Sequence, residues 1–509
     1  MKKVRFLRSA VVLAALLFFS CAAGPAVTRD GRQPASTGDG VVAFTILQMN
    51  DIYELTPVSG GREGGLARVA TVRKELLAEN PNTLTMLAGD LFSPSALGTA
   101  KVGGERLAGK QIVAVMNALG LEYITFGNHE FDIPEKSFFD RLGESRFTWI
   151  SGNVFDRRHR SFPGVPQNKV VEIHGTKGET VRLGILGLTI DSNKTEYVTY
   201  DDFLEAARVQ AADLRGRVEI LLALTHLSLE QDTALAQAVP GIDLILGGHE
   251  HENMLLRRGA AYIPISKADA NARTVYIHRL RYDTATRKLE IHSSLKRITG
   301  EVPEDPDTQA AVRHWQELGY AAFRADGFRP EQVVGTMTEP LDGLEASVRN
   351  RPTALTRLIA EAMRAAVPGA ELAIFNSGSI RIDDVLPPGP VTEYDVLRIL
   401  PFGGRVCGAE IEGVLLRKVL AQGIANHGTG GFLQSSGVTP TGAGWLIDGK
   451  PLADGGVYKA AVNDFLVSGK ETGLEFFSDR NPGMRVTCPE NGDIRFLFRD
   501  YLQKRYGGR

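Results

Sequence analysis

Five short stretches carry the side chains that could do chemistry: Asp51, Gly89-Asp90, Gly127-Asn128-His129-Glu130-Phe131-Asp132, His226, and Gly248-His249-Glu250-His251. Asp51 and Asp90 offer carboxylates, Asn128 an amide oxygen, and His226, His249 and His251 imidazoles. That mixture of donors suits two divalent ions of the Zn, Mn, Co or Fe kind and disfavours an all-oxygen calcium site. Two such ions about 3.5 to 4 Å apart, sharing one carboxylate, can activate a water and clamp a phosphoryl oxygen. His129 can donate a proton or stabilise charge, with Asp132 holding its ring. Singly, each residue reads more blandly, since an Asp after a strand is usually a turn or cap residue and a lone His is usually surface or core. Their recurrence at the ends of apolar runs is what sets them apart.

The elements that must position them can be read from the same runs. Residues 41–49 precede Asp51, 83–88 precede Asp90, 121–126 precede Asn128, 220–225 end at His226, and 242–246 precede His249. Another run, 181–189, ends near Asp191. Between the first of these, Leu66, Val69, Val72 and Leu76 recur at helical spacing, and 112–119 reads as a second amphipathic helix. Strands alternating with helices imply an α/β sheet covered on both faces, with the chemistry at the carboxyl ends of the strands. Residues 260–265 and 275–280 read as closing strands.

A chain of 509 residues is too long for one core, so two domains are expected. The acidic, proline-bearing stretch 301–307 marks the break, with a connecting helix over 308–323. This places the first domain at 42–300, a linker at 301–334 and a second domain at 335–509. A hydrophobic fraction of 43% with 23% charged residues is ordinary for globular protein, and a net charge of -2 argues against a nucleic-acid polymer as partner. The cationic start Met1–Arg5, the apolar run from Ala10 to Phe19 and the small residues around Cys21 follow the plan of an export signal over residues 1–21. Cys21 stands where a bacterial lipoprotein is cut and lipidated, so the expected place is the periplasm or cell envelope, with the membrane touched only through that anchor; the alternative is a plain secreted protein cut near Ala23. Residues 22–41 suit a flexible tether. Cys407 and Cys488 read as buried small hydrophobes: an exported compartment would permit a disulfide between them, but two cysteines this far apart make no framework.

In the second domain, 353–366 reads as a strong helix and 371–375 as a strand entering Asn376-Ser377-Gly378-Ser379-Ile380-Arg381. Asn376 and Arg381 can address the polar edge and phosphate or ribose of a substrate. Phe402 and Phe465 each lie beside a turn and could sandwich a base, although a single phenylalanine is by default a core residue.

In this order, the motifs closely resemble the calcineurin-like metallophosphatase signature, and Phe131 with Asp132 narrow the resemblance to the 5′-nucleotidase family, which includes UDP-sugar hydrolases and 2′,3′-cyclic phosphodiesterases. The resemblance covers roughly Val42 to Pro482 and takes in Asn376-x-Gly378-x-Ile380-Arg381, Pro401-Phe402-Gly403-Gly404 and Gly431-Phe432-Leu433-Gln434. It implies an N-terminal metallophosphatase β-sandwich flanked by helices and a C-terminal α/β substrate-binding domain. It further implies Asp90 bridging two ions, Asp51 and His251 on one, Asn128, His226 and His249 on the other, and His129 with Asp132 as the catalytic pair. Phe402 and Phe465 would stack on the base of a nucleotide, while Arg349 and Arg381 would hold its phosphate or ribose side. The activity implied is hydrolysis of nucleotides to nucleoside and phosphate, with UDP-sugar or cyclic-nucleotide hydrolysis on the same fold as the alternative and nucleotide binding without turnover as the non-enzymatic one.

Three departures stand out. The family's Asp-x-His is Asp51-Ile52-Tyr53 here, so Tyr53 either ligates as a phenolate, binds weakly, or only packs. The Gly-Gly-Asp-Gly loop is replaced by Gly469-Lys470-Glu471-Thr472-Gly473, and an acidic residue near Arg351-Pro352 is missing.

Overall fold

The computed structural model describes residues 40–442 and 444–507, so the signal segment, Cys21 and all but the end of the tether lie outside the described residues. The first strand, β1, spans Val41–Met49 and thus starts within the stretch assigned to the tether. The first domain adds β2 (Thr83–Leu87), β3 (Tyr123–Thr125), β4 (Thr148–Ile150), β5 (Asn168–His174), β6 (Thr180–Thr189), β7 (Ile220–His226), β8 (Leu244–Gly247), β9 (Met254–Arg258), β10 (Ile263–Lys267), β11 (Thr274–Asp283) and β12 (Lys288–Arg297). They form two six-stranded sheets, ordered β12-β11-β1-β2-β3-β4 and β9-β10-β8-β7-β6-β5.

Strand β1 shows how one sequence serves two layers. Val42, Phe44 and Ile46 point into the space between the sheets, where they meet Val181, Leu183, Ile185, Leu222, Leu224, Leu244 and Leu246. Leu47 and Met49 belong to the outer layer, packed with Val69, Val72 and Leu76 of helix α1 (Leu66–Glu79) and Ile112 and Met116 of α2 (Lys110–Leu119). Both faces of the strand are therefore apolar, as a covered sheet requires. The other sheet is covered by the helices Phe203–Leu214 and Leu229–Ala238. The result is a β-sandwich with helices outside.

Strands β1 to β4 run parallel, and so do β6, β7, β8 and β10. Their carboxyl ends converge on one rim. Helix α3 (Pro306–Ala325) then crosses back over α1 and α2, with Val312 and Phe323 in their core. Asp305 caps it, accepting from Thr308 N at 3.0 Å, and Pro306 follows where a missing N–H costs nothing. Gly319 lets the helix approach closely, because a Cβ would stand 2.3 Å from Leu97 Cδ1 and force that buried side chain to shift.

The second domain is a five-stranded mixed sheet of β13 (Leu372–Asn376), β14 (Val406–Glu412), β15 (Leu433–Ser436), β16 (Val457–Asn463) and β17 (Met484–Thr487), ordered β15-β13-β16-β14-β17. Helices Ala354–Ala366 and Ile494–Tyr506 cover one face and Gly413–Ala425 the other. The reading of Cys407 and Cys488 as unpaired core residues is corrected here: they form a disulfide. Antiparallel β14 and β17 pair Gly408 with Thr487, so the same register brings Cys407 opposite Cys488. A distance of 81 residues along the chain is closed by neighbouring strands.

Candidate metal centre and substrate cleft

The rim of the sandwich gathers the predicted donors. Asp51 follows β1, Asp90 follows β2, Asn128 follows β3, His226 is the last residue of β7, and His249 and His251 follow β8. One carboxylate oxygen each from Asp51 and Asp90 and a ring nitrogen of His251 lie within 4.8 Å of one another. His226 Nε2 is 3.3 Å from Asp90 Oδ2 and 3.9 Å from Asp51 Oδ1, and His251 Nε2 is 3.3 Å from Asp51 Oδ1. The His249 ring stands edge-on to His226 with centroids 5.3 Å apart, while its backbone N–H donates to Asp51 Oδ2. Asp90 stands between the Asp51–His251 corner and His226.

The backbone is shaped to make this possible. Asp51, Asp90, His249 and His251 all adopt positive φ, at 53°, 58°, 87° and 60°. Gly127 and Gly248 let the turns close, since a Cβ on Gly127 would lie 2.1 Å from Asp90 Oδ1 and one on Gly248 would lie 2.3 Å from the Ala88 carbonyl. Glu130, a residue to which sequence reading gives no role, accepts from the backbone N–H groups of Gly127, Asp90, Leu91 and Phe92 and ties two motifs together. Burial and then the nearby Asp90 push its carboxyl up to about 7.

Of the six predicted metal donors, two present a buried atom without a hydrogen-bond partner: Asn128 through Oδ1 and His226 through Nε2. Orphaned polar atoms of this kind ask for an explanation, and a cation is one. The electrostatics agree. Burial opposes charge on Asp51 and Asp90, yet His251 and His226 beside the first, and His226 and His129 beside the second, hold both carboxyls below the ordinary range. Burial would likewise lower His226, but Asp90 and Asp51 lift it to about 9. His249 goes the other way, pushed down to about 3 by burial and by His226. A cluster whose anions hold protons on their neighbours is one in which a divalent ion can take the protons' place. The residues fit the metals that the fold implies.

Tyr53 stands inside this cluster. Its hydroxyl donates to Asp90 Oδ2 at 2.9 Å and lies 3.0 Å from His251 Nε2. Burial, then Asp90 and Asp51, push the phenol well above its usual value, so it is held as the neutral hydroxyl.

Beside the cluster, His129 Nδ1 lies 2.6 Å from Asp132 Oδ2, and the His129 backbone N–H donates to Asp90 Oδ1 at 2.8 Å. Burial opposes charge on His129, but Asp90 and Asp132 raise it above its ordinary value. Asn193, from the turn after β6, donates to Asp132 and to the Asn128 carbonyl, and Ser93 donates to Asp132 from the other side. Asn193 and Ser93 lie outside every motif, so no spacing signal singles them out.

The second domain faces the rim. Phe402 shares a small cavity of about 70 Å³ with Ser93, Ser95, Thr99 and Asp132. Phe402 and Phe465 are 51% and 44% exposed, unlike the core placement a lone phenylalanine suggests. Arg381 lies over the Phe402 ring at 5.8 Å, and its Nε is buried without a partner among the described residues. Arg349 pairs with Glu345, whose carboxylate is also 3.9 Å from Arg381. Asn376 is buried, with its amide oxygen accepting from Ser379 and Asn463 and its amide nitrogen donating to Glu471 at 2.8 Å. Glu471 belongs to the loop that departs from the family pattern. Glu345 escapes sequence reading, because only its fold neighbours reveal it.

Comparison with known proteins agrees with this geometry. Residues 44–253 match the family model for calcineurin-like phosphoesterases, and residues 333–479 match that for the 5′-nucleotidase C-terminal domain. The chain is 26% identical over 449 residues to the 5′-nucleotidase of Bos taurus, covering 78% of this chain and 74% of that protein. It is 26% identical over 514 residues to the trifunctional nucleotide phosphoesterase protein YfkN of Bacillus subtilis, a match that takes in 89% of this chain but only 34% of YfkN. In fold it is similar to the 5′-nucleotidase precursor from Thermus thermophilus, with a TM-score of 0.73, 24% identity, and coverage of 91% of this chain and 96% of that one.

Proposed function

We propose that this chain, which belongs to the calcineurin-like phosphoesterases that carry a 5′-nucleotidase C-terminal domain, hydrolyses nucleotides to nucleoside and phosphate with the help of two divalent ions. The observation that carries the reading is the pair of orphaned donors, Asn128 Oδ1 and His226 Nε2, on the rim that also holds Asp51, Asp90 and His251. One ion would be held by Asp51 and His251, the other by Asn128, His226 and His249, with Asp90 shared. Such ions, when bound, polarise phosphoryl oxygens and lower the pKa of water.

The remaining steps belong to side chains. His129 is placed to stabilise or protonate the leaving oxygen, and Asp132 fixes its ring and favours its charged form. The unpartnered Nε of Arg381 is a donor awaiting an anionic acceptor, and Arg349 stands on the same Glu345. Exposed Phe402 and Phe465 offer faces for a base. Asn376, engaged by Asn463 and Glu471, would act by holding that loop as much as by touching substrate.

The Cys407–Cys488 disulfide supports an oxidising compartment and hence export. Anchoring through Cys21 is our reading of the signal alone. Among the described residues no helix is long and apolar enough to cross a membrane.

The test is turnover of a panel of 5′-mononucleotides, 2′,3′-cyclic nucleotides and UDP-sugars by pure, metal-supplemented protein. We expect the 5′-mononucleotides to be turned over fastest. Binding of nucleotide and metal with no turnover of any substrate would leave the non-enzymatic alternative standing.

A further inference from the structure

The two domains meet at consecutive aspartates, and each does something different. Asp384 accepts from Ser59 N and Ser59 Oγ, both at 2.8 Å, and from Arg398 Nη2 at 3.1 Å. Arg398 in turn lies 3.6 Å from Glu54, which also accepts from the Tyr394 hydroxyl. This is an ordinary polar seam between the first and second domains. Asp383 instead reaches past the seam to the metal cluster. Its Oδ2 lies 2.7 Å from Nδ1 of His251, while its Oδ1 accepts from the Glu345 N–H at 2.8 Å. The residue is 6% exposed and its backbone is held at a φ of 37°, a conformation that only surrounding contacts sustain.

A carboxylate at Nδ1 keeps a proton on that nitrogen, which leaves Nε2 as the one whose lone pair a metal can take when it displaces the proton there. Nε2 is the atom that faces Asp51 Oδ1 and the Tyr53 hydroxyl. Imidazole ligands of metals are oriented in this way, by a carboxylate on the nitrogen that does not bind. Here the carboxylate belongs to the other domain. We propose that Asp383 is a positioning residue for the metal ligand His251, so that affinity for one ion and docking of the second domain onto the first are linked. The inference rests on His251 ligating a metal, as in the function proposed above. It adds that half of that ligand's support arrives only when the domains are docked. Linkage of this kind is reciprocal: whatever docking adds to metal affinity, metal binding adds to docking.

The experiment uses the full chain. Asp383→Ala removes the acceptor, and Asp383→Asn keeps an oxygen able to accept from Nδ1–H. Calorimetric titration of the stripped protein with Mn²⁺ should show one of two sites weakened about 10- to 100-fold in the alanine variant, less in the asparagine variant, with the second site unchanged. Hydrogen exchange gives a readout that a local role would not move. Adding Mn²⁺ should slow exchange of the Ser59 amide, which donates to Asp384 across the seam, in the wild type and not in Asp383→Ala. Circular dichroism confirms that each variant is folded, and the asparagine variant carries the test if the alanine variant is not. Two sites of wild-type affinity in a folded Asp383→Ala, or a Ser59 amide indifferent to metal, would overturn the linkage while leaving the metal site intact. No binding of Mn²⁺, Zn²⁺ or Co²⁺ by the wild type would overturn the metal site itself and the linkage with it.

Discussion

Asn193 Nδ2 lies 2.8 Å from Asp132 Oδ1 and 3.3 Å from His129 Nδ1, so one amide touches both members of that pair. The pair His129–Asp132 is thus braced from the turn that follows β6, a strand of the other sheet. His129→Ala should lower kcat by about 10²- to 10⁴-fold while the protein keeps its full metal content. Asn193→Ala should lower kcat less and leave KM nearly unchanged, since it acts by positioning Asp132 and the His129 ring. Steady-state kinetics with metal analysis decide; loss of one metal equivalent in His129→Ala would assign that side chain to the metal shell.

Removal of metal should abolish hydrolysis, and Mn, Co or Zn should restore it. The proposed mechanism relies on such ions to activate water and assigns them to the orphaned donors of Asn128 and His226, among others. Full activity in a sample shown by elemental analysis to be metal-free would refute the mechanism.

Tyr53 fills the corner between Asp90 and His251 as a neutral hydroxyl. Ionising it is costly there, whereas imidazole ligates without that cost. Tyr53→His should therefore tighten one metal site and reduce the metal needed for half-maximal activity. Two equally tight wild-type sites that the substitution does not alter would show the phenol to be a competent ligand or a bystander.

Asp305 gives a pH dependence remote from the metals. Burial opposes its charge, but Lys74 and the Thr308 hydrogen bonds hold its carboxyl below the ordinary value. Because the folded value lies below the unfolded one, the stabilisation is present above about pH 4 and is lost as the pH falls through the folded value. Asp305→Ala should cost about 1 kcal/mol at neutral pH, as loss of a cap does, and the difference from wild type should shrink in acid. Denaturant titrations at neutral pH and well below the ordinary carboxylate range measure it.

The Cys407–Cys488 bond closes a separation of 81 residues. Replacing both cysteines by serine should lower stability by about 2 to 4 kcal/mol. Unfolding at the same denaturant concentration as wild type would count against a stabilising role.

What the sequence disclosed was decided by local pattern. Asp51, Asp90, Asn128 and His226 each end an apolar run, and a strand's carboxyl end is where its direction alone determines the outcome. The Leu66–Glu79 helix and the one after Thr353 were legible for the same reason, through the period of their apolar residues. Asp383 was not, because its partner His251 lies across the packing of one domain on another, and Glu345 was not, because its contacts with Arg381 and Asp383 are made by the fold of the second domain; no period encodes either. Asn193 sits in a turn with no spacing signal. The disulfide was misread because pairing of Cys407 with Cys488 depends on the register of β14 against β17, and distance along the chain says nothing about register. Phe402 and Phe465 were ambiguous for a related reason: apolarity marks a residue for burial, and only the fold shows which are left facing a cleft.

Four of the donors stand on backbone that L-residues seldom adopt: Asp51, Asp90, His249 and His251. Each such conformation costs roughly 1 kcal/mol or more, and glycine would relieve it. A selection for heat resistance alone would thus favour glycine at the very positions proposed to hold the metals. Attempts to stabilise this protein in the laboratory should leave those four sites fixed and look to the outer helices. In natural variants, glycine at any of them would mark a chain that had kept its fold after giving up a proposed metal ligand.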